Sequence, residues 1–249
     1  MAVVLKSSKE IDKMRLAGKA THEVLELLRS HVAPGVTTMD LEKIAVAKLA
    51  ELGLKGAFLG YGGYPCVLCA SVNSEVVHGI PNPKRVLKEG DIVSLDFGLF
   101  VDGYCGDSAI TVPVGKIDPT TARLLTVTEK SLYAGIAVVR PGATLGDVGA
   151  AVQGVVEAEG FSVVRDFVGH GIGTHMHEDP QVPNYGKAGR GMKLRAGMVI
   201  AIEPMVNVGG SDVVVLDDGW TTITADGSMS AHFEHTVAVT AAGARILTE

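Results

Sequence analysis

The sequence contains few cysteines and lacks the long apolar runs of a membrane protein. Only 3 of its 249 residues are cysteine, an odd number that is typical of a reducing compartment rather than of a disulfide framework. No stretch approaches about 18 uninterrupted apolar residues, which a membrane-spanning helix requires. The first residues, MAVVLKSSKEIDKMR, lack the basic and apolar regions of a signal peptide. These absences predict a soluble cytoplasmic protein.

Basic residues and linker-like segments are also scarce. The 22 Lys and Arg residues are outnumbered by 28 Asp and Glu residues, which gives a net charge of −6. This balance argues against a protein held mainly by nucleic-acid phosphates, so no specific nucleic-acid partner is predicted. No Pro- or Ser-rich segment divides the chain. Its length fits one large domain or two halves that share a core.

Cys66 and Cys69 have the C-x-x-C spacing of some zinc and redox sites. A structural zinc site needs four ligands, and Cys105 is the only other thiol. A redox pair is expected to open a helix, whereas the surrounding YPCVLCASV is typical of a strand. The pattern favours two small strand residues and leaves a special role of this pair open.

The chain contains similar segments at a constant spacing. PGVTTMD begins at residue 34 and PGATLGD at 141, while LKEGDIVSLD begins at 87 and LRAGMVIAIE at 194. Gly53 and Gly160, which each end an apparent helix, are also 107 residues apart. This repeat predicts two related halves, roughly 8–114 and 115–243, within a single domain over residues 1–249.

Each half repeats the same order of elements. Amphipathic helices are predicted at roughly 9–31 and 120–139, and a capping box at Ser7 marks the first of them. Thr37 and Thr144 then mark the starts of second helices. Alternating, β-branched segments predict strands at 66–73, 91–100, 104–113, 162–168, 198–206, 212–216 and 232–240. We expect an α+β fold of two pseudo-symmetric halves, with a central antiparallel sheet covered by helices on one side.

Carboxylates occupy equivalent places in the two halves. The matched segments DIVSLD and MVIAIE end in Asp96 and Glu203. If a pseudo-two-fold axis relates the halves, these two acids lie symmetrically about it and can face one cleft. The alternative is that each acid simply leaves the core at a strand end.

A tight hairpin brings a third acid close to Asp96. Asp102-Gly103 is the usual signal for a two-residue turn, which would place Asp96 opposite Ala109 and Asp107 opposite Gly98. The two aspartates would then share a face as diagonal neighbours, roughly 7–8 Å apart at the backbone. Such a half-buried pair is expected to hold a proton or a cation, although a hydrated pair on an exposed face remains open.

Further acids and histidines extend this set. Glu234 interrupts the strand pattern AHFEHTVAV, and three histidines lie in the segment FVGHGIGTHMHEDP at 167–180. We interpret the glycines of that segment as room for the backbone to pass close to a metal. Four carboxylates and an imidazole form an oxygen-rich ligand set that suits Mn, Fe, Co or Zn. Four negative charges would balance two divalent ions.

Several motifs together resemble a known family. They are SLDFG followed by CGD, GHGIG followed by HEDP, IEPM, and FEHT. This combination resembles the methionine aminopeptidases of bacterial type I, which are metallopeptidases of the pita-bread (creatinase/aminopeptidase) fold, and the similarity extends over nearly the whole chain. The sequence shows neither the helical insertion of type II members nor the extra N-terminal domain of prolidases and aminopeptidase P.

The resemblance implies a metal centre and a substrate site. Asp96 would chelate one ion, Asp107 and Glu234 would bridge both, and His170 and Glu203 would complete the other. The cofactors would be two divalent ions (Mn, Fe, Co or Zn), with a structural monovalent cation as a further family expectation. Substrate would be bound by Phe58, Tyr61, Tyr64, Cys69, His78, Met176, His177 and Trp220.

This sequence departs from the family pattern at two pocket positions. Met176 stands where an aromatic residue is expected, and Phe58 stands where a small thiol is expected. A flexible thioether would soften the pocket and shift its preferences without affecting catalysis. His175 is predicted to be a bystander.

The implied activity is removal of the initiator methionine from nascent proteins whose second residue is small, by a hydroxide that bridges the two metals. Glu203 would act as the general base, His177 would stabilise the carbonyl oxygen, and His78 would contact the amide nitrogen beyond the cleaved bond. The partners would be the N-terminal Met peptides of nascent chains, with ribosome association and a monomeric state as further expectations. The alternatives are an X-Pro peptidase of the same fold and a metal-free binding module.

Overall fold

The computed structural model describes residues 3–249. Its α-helices are α1 (Ser8–His31), α2 (Thr38–Leu52), α3 (Pro119–Ala137) and α4 (Leu145–Ala158). Its strands are β1 (Lys55–Gly56), β2 (Leu68–Val72), β3 (Glu75–Val77), β4 (Ile92–Val101), β5 (Tyr104–Pro113), β6 (Ser162–Val163), β7 (Gly169–Gly171), β8 (Glu178–Val182), β9 (Val199–Ile202), β10 (Met205–Asn207), β11 (Val213–Val215), β12 (Thr222–Thr224), β13 (Ser230–His232), β14 (Glu234–Thr240) and β15 (Gly243–Ile246). Within residues 3–249, no helix has both the length and the apolar character needed to cross a membrane.

Capping residues fix where three of the helices begin. Ser7, Thr37 and Thr144 each accept a hydrogen bond from the backbone N–H three residues later, and the acid at that later position accepts from the cap. These reciprocal bonds satisfy N–H groups that have no partner inside a helix. The predicted helix starts are therefore confirmed, and Gly53 ends α2 in the left-handed conformation (φ 65°).

The largest sheet has nine strands in the order β1-β4-β5-β14-β9-β7-β8, with β2 also paired to β4 and β15 to β14. All its pairs are antiparallel. Helix α1 packs on β4 and β5, and α3 packs on β9 and β14. Separate apolar clusters join α1 and α2 to β2 and β4, and α3 and α4 to β9 and β14. The predicted α+β class and central antiparallel sheet are confirmed.

The repeat is visible in the backbone pairing. An isolated bridge joins Thr37 to Val86, and an equivalent bridge 107 residues later joins Thr144 to Lys193. Each bridge ties the start of the second helix of its half to the segment that leads into a sheet strand. The exact halves 8–114 and 115–243, and the single domain over 1–249, remain predictions; residues 1–2 lie outside the described part of the chain.

The β4–β5 hairpin has the predicted register. Asp96 pairs with Ala109 and Gly98 pairs with Asp107. The turn residues Asp102 and Gly103 both have positive φ values, 49° and 80°, as a turn that matches the twist of the strands requires.

Three strand predictions were wrong in extent. The segment 162–168 forms only the two-residue strand Ser162–Val163, and its continuation at Arg165–Asp166 is exposed and belongs to no strand. The segment 198–206 is broken after Ile202, because Pro204 has no N–H to continue a ladder, and its two parts enter different sheets. The segment 232–240 is broken at Phe233, whose N–H donates to the Pro204 carbonyl, and β13 and β14 enter different sheets. Strands β1, β3, β7, β8, β12 and β15 are short and had no sequence prediction.

Candidate metal centre and substrate cavity

A row of carboxylates crosses the main sheet. Asp96 on β4 pairs with Ala109 on β5, and Ala109 pairs with Glu234 on β14. On the far side of β14, Ile202 pairs with His235, so the register continued by one residue brings Glu203 beside Glu234. The small side chain of Ala109 leaves space in the middle of this row. The sheet register therefore gathers acids that are distant in the sequence.

Asp107 and His170 complete this set of five. The ligand atoms of Asp107, His170 and Glu234 all lie within 4.8 Å of one another. Nε2 of His170 is 3.9 Å from Asp107 Oδ2 and 3.5 Å from Glu203 Oε1. The structure thus brings together all five residues that the sequence proposed as metal ligands, although their individual roles stay predictions.

The His170 ring is held with one nitrogen directed at the acids. Its Nδ1 lies 2.9 Å from the Gly171 carbonyl oxygen, a hydrogen bond in which Nδ1–H donates. Nε2 is then left with its lone pair toward the carboxylates, which is the arrangement of a metal-binding histidine. Burial, reinforced by the nearby His177, lowers the pKa of His170 to about 3, so the ring is neutral.

The glycines beside His170 have a different purpose from the one predicted. A Cβ on Gly169 would overlap the Ala201 carbonyl, and a Cβ on Gly171 would overlap the Asp179 carbonyl. These glycines therefore allow β7 to lie between its neighbours β9 and β8, rather than making room around a metal. The close strand approach fixes the position of His170.

Four acids in one site are electrostatically unfavourable without a cation. Burial raises the pKa of Asp107 to about 7. Burial, and then the charge of Asp107 or Asp96, raises the pKa values of Asp96, Glu203 and Glu234 well above their usual range. A low-dielectric site holding several carboxylates must take up protons or bind positive charge.

Unpaired oxygens show that the site fits cations. Asp96 Oδ1, Asp107 Oδ1 and Glu234 Oε1 are buried and have no hydrogen-bond partner among the described residues. Buried polar atoms normally find a partner. Carboxylate oxygens together with a neutral imidazole form a donor set suited to divalent transition metals. The residues present therefore fit the ions that the sequence predicts.

The acids lie at the base of a half-open cavity, whose empty space of about 490 Å³ includes a part that is open to solvent. All thirteen residues predicted for the site line it: Phe58, Tyr61, Tyr64, Cys69, His78, Asp96, Asp107, His170, Met176, His177, Glu203, Trp220 and Glu234. The cavity therefore combines a charged floor with a largely aromatic and aliphatic wall, the usual character of a ligand site.

Aromatic contacts orient the two histidines of the wall. Nδ1 of His177 lies 2.8 Å from the Tyr61 hydroxyl, and its ring centroid is 4.2 Å from that of His170. His78 has a positive φ of 60° and lies edge-on to Phe167 and Trp220. Burial, reinforced by His177, lowers the pKa of His78 to about 4, so both ring contacts involve a neutral imidazole.

The apolar side of the cavity is well packed. Met176 and Phe58 are buried, with exposures of 5% and 7%. Cys69 lies on β2 and lines the cavity, while Cys66 precedes that strand; both are free thiols. Burial, followed by the Asp96 charge, raises the pKa of Cys69, which therefore remains a thiol. The His175 side chain is 81% exposed, as expected of a bystander.

Sequence reasoning gave no role in the site to two polar residues next to the acids. Thr236 Oγ1 donates to the Asp107 carbonyl and accepts from the Asp107 N–H, which locks β5 to β14. His232 is 1% exposed, and its Nε2 lies 3.9 Å from Glu203 Oε2. The signal available in the sequence was the polar alternation His232, Glu234, Thr236 along a strand that is otherwise apolar.

Comparison with known proteins agrees with this geometry. Residues 12–241 match metallopeptidase family M24. The chain belongs to the M24 metallopeptidase family. It is 51% identical over 246 residues to methionine aminopeptidase A of Synechocystis sp., covering 99% of this chain and 97% of that protein. The structure of methionine aminopeptidase from Thermotoga maritima superposes with a TM-score of 0.98 at 49% identity and covers 100% of both chains.

A more distant protein shares the fold alone. The prolidase from Pyrococcus horikoshii OT3 has a TM-score of 0.80 at 22% identity, and the match covers 99% of this chain but 63% of the prolidase. The pita-bread fold and the resemblance to methionine aminopeptidases predicted from the M24 motifs are confirmed. The protein is a metallo-aminopeptidase of family M24, and membership of this family implies that it binds a divalent metal.

Proposed function

We propose that this M24 enzyme removes the N-terminal methionine from peptides and nascent proteins whose second residue is small, using two divalent ions. The observation that carries the proposal is the convergence of four carboxylates and His170 on the floor of an apolar cavity. The 51% identity to a methionine aminopeptidase over nearly the whole chain supports the same substrate.

Five side chains would hold the ions. In the proposed assignment Asp96, Asp107 and Glu234 would hold one ion, and Asp107, Glu234, His170 and Glu203 would hold the other. Three unpaired buried oxygens on Asp96, Asp107 and Glu234 support this donor set. Bound divalent ions would supply the charge that makes hydroxide available near neutral pH and polarises the scissile carbonyl. Their identity, Mn, Fe, Co or Zn, depends on availability as well as on the ligands.

Glu203, His177 and His78 would carry out the remaining steps. Glu203 accepts the proton of the attacking water and passes it to the leaving amine. His177, held by Tyr61 at 2.8 Å, donates a hydrogen bond to the carbonyl oxygen as negative charge develops there. His78 contacts the amide nitrogen beyond the cleaved bond.

Cavity shape supports the proposed specificity. The methionine side chain of the substrate would fill the part of the cavity that is lined by Phe58, Tyr64, Cys69, Met176 and Trp220. The second residue would lie near His78, which is confined between Phe167 and Trp220 with ring centroids 5.5 and 6.1 Å away. A large side chain at that position would meet these rings, so a small second residue is expected.

Wider aspects of the function are proposed on the resemblance alone. They are action on nascent chains at the ribosome, a cytoplasmic location, a monomeric state and a structural monovalent cation. None of them changes the chemistry of the cavity.

One experiment tests the proposed reaction. Metal-free enzyme is titrated with Mn, Fe, Co and Zn and assayed on Met-Ala-Ser and on an X-Pro dipeptide. We expect metal-dependent release of methionine and no cleavage of the X-Pro peptide. Cleavage of X-Pro alone would assign a prolidase-type activity, and metal-free protein that still releases methionine would refute the metal mechanism. An intact protein that binds no metal and cleaves neither peptide would be a binding module.

A further inference from the structure

His232 combines complete burial with unsatisfied polar atoms. Its side chain is 1% exposed, and neither Nδ1 nor Nε2 has a hydrogen-bond partner among the described residues. Leaving a buried donor without a partner costs on the order of 1–3 kcal/mol. Buried polar groups in native proteins are usually hydrogen-bonded, so the surroundings of this ring call for a physical explanation.

The backbone of His232 is firmly placed. Its N–H donates to Thr111 Oγ1 at 2.9 Å, and the Thr111 hydroxyl donates to the His232 carbonyl at 2.8 Å. The residue ends β13, directly before the break at Phe233 that separates it from Glu234. Only the side chain of His232 is therefore free to adjust.

The nearest acid is Glu203, and its two oxygens face different neighbours. Oε1 lies 3.5 Å from Nε2 of the ligand histidine His170, while Oε2 lies 3.9 Å from Nε2 of His232. One oxygen thus faces the proposed metal ligands and the other faces an imidazole that is otherwise unengaged.

The separation indicates direct contact rather than a bridging water. A hydrogen bond from N–H to oxygen is about 2.9 Å long, so the 3.9 Å gap is closed by a movement of about 1 Å. A bridging water would need two such bonds in succession and hence a larger separation at ordinary angles. A neutral imidazole carries one N–H, and the tautomer with hydrogen on Nε2 is the one that can donate to Glu203 Oε2.

We propose that His232 is a positioning residue for Glu203, donating a hydrogen bond from Nε2–H to Oε2 when the ions are bound. This inference rests on the proposed function of Glu203. The bond fixes the carboxylate plane and leaves Oε1 for the metal. Outer hydrogen-bond partners of metal ligands typically contribute 10–100-fold to metal affinity or activity.

The test compares two substitutions of His232. His232→Gln keeps an uncharged N–H donor, whereas His232→Met is apolar and of similar length. We expect His232→Met to weaken Mn²⁺ binding, measured calorimetrically on metal-free protein, by about 10–100-fold. It should lower kcat on Met-Ala-Ser at saturating Mn²⁺ with little change in KM, and His232→Gln should recover most of both losses. His31→Gln, at the exposed end of α1, is the matched control.

A folded His232→Met variant with wild-type Mn²⁺ affinity and kcat would overturn the proposal. Equal losses in the Gln and Met variants would also overturn it, because the donor would then be irrelevant. The proposed function itself fails on a different result, namely wild-type protein that neither binds Mn²⁺ nor cleaves Met-Ala-Ser.

A spectroscopic measurement on wild-type protein covers the case in which the Met variant does not fold. Long-range ¹H–¹⁵N NMR of the Zn²⁺-loaded protein reports which His232 nitrogen carries hydrogen. A protonated Nε2 is expected. A bare Nε2 with hydrogen on Nδ1 would contradict the proposed bond.

Discussion

At the scale of single residues, Glu203 has two proposed tasks, binding an ion and moving a proton. In the metal-free protein, burial and the charges of Asp96 and Asp107 raise the pKa of Glu203, so its carboxyl group takes up a proton when no cation is bound. These two tasks can be separated by a substitution that keeps the shape of the side chain.

Glu203→Gln should lower kcat on Met-Ala-Ser by about 10²–10⁴-fold at saturating metal, because the amide cannot accept the proton. Circular dichroism should be unchanged, and metal content is measured in the same samples. Glu129→Gln, on the exposed face of α3, should behave as wild type. A fully loaded Glu203→Gln enzyme with near-normal kcat would show that another group is the base.

Met176 affects substrate binding rather than chemistry. Its buried thioether lines the apolar wall of the cavity, and truncation removes contacts from the bound methionine side chain. Met176→Ala should lower kcat/KM on Met-Ala-Ser by roughly 10-fold, mostly through KM. Calorimetry should find unchanged Mn²⁺ affinity. Leu59→Ala is the control, because the Leu59 side chain is 60% exposed. An equal loss of kcat/KM in that variant would show that Met176 makes no specific contact with the bound methionine.

Two acids of the site, Asp96 and Glu203, were predictable from the repeat, whereas the residues of the substrate pocket followed from the family resemblance alone. Asp96 and Asp107 follow from a two-residue turn, and their predicted register is the one observed. His232 was not predictable as a neighbour of Glu203, since their contact depends on breaks at Pro204 and Phe233 that bend two strands into separate sheets.

At the scale of secondary-structure elements, local hydrogen bonds were easier to foresee than strand pairing. Capping boxes at Ser7, Thr37 and Thr144 specify helix starts from four consecutive residues. A strand as short as β6 exists only because a distant strand, β10, pairs with it. The alternation of residues therefore predicted too long a strand in the segment 162–168.

Close packing of α1 against the C-terminal segment depends on one glycine. A Cβ on Gly18 would overlap the Leu247 carbonyl, and Leu247 is fully buried. Gly18→Ala should therefore lower the free energy of unfolding by about 1–3 kcal/mol despite the better helix propensity of alanine. Denaturant titration of the variant and the wild type measures this difference in the free energy of unfolding. Lys19→Ala, the exposed next residue of the same helix, should change stability little; an equally stable Gly18→Ala would show that the segment can move away.

At the scale of the whole molecule, acids from both predicted halves of the chain lie together in one cavity. Asp96 and Asp107 come from the first half, while His170, Glu203 and Glu234 come from the second. The fold is therefore stabilised by its helices and apolar clusters on the outside of the sheet and destabilised by its own acids inside the cavity. Bound divalent ions are expected to offset the destabilisation that the acids cause.

This balance predicts how stability changes with pH. The raised pKa values of the four acids mean that, above their unfolded pKa, the metal-free folded state binds more protons than the unfolded state. The stability of the metal-free protein should therefore fall as pH rises. The contribution of Asp107 to this fall ends once the pH passes its folded-state pKa of about 7. The buried histidines, with lowered pKa values, oppose this trend only below their unfolded value of 6.5.

Saturating Mn²⁺ replaces those protons, so the gain in Tm on adding metal should be larger at about pH 8 than at about pH 6. Thermal unfolding of chelator-treated and Mn²⁺-loaded protein at both pH values measures this gain. Asp96→Asn provides the control: with one repelling charge removed, the metal-free variant should be more stable than metal-free wild type at the higher pH and gain less from Mn²⁺. A metal-induced gain that is the same at both pH values would mean that the four acids do not hold protons in the metal-free fold, and the electrostatic account of the cavity floor would be wrong.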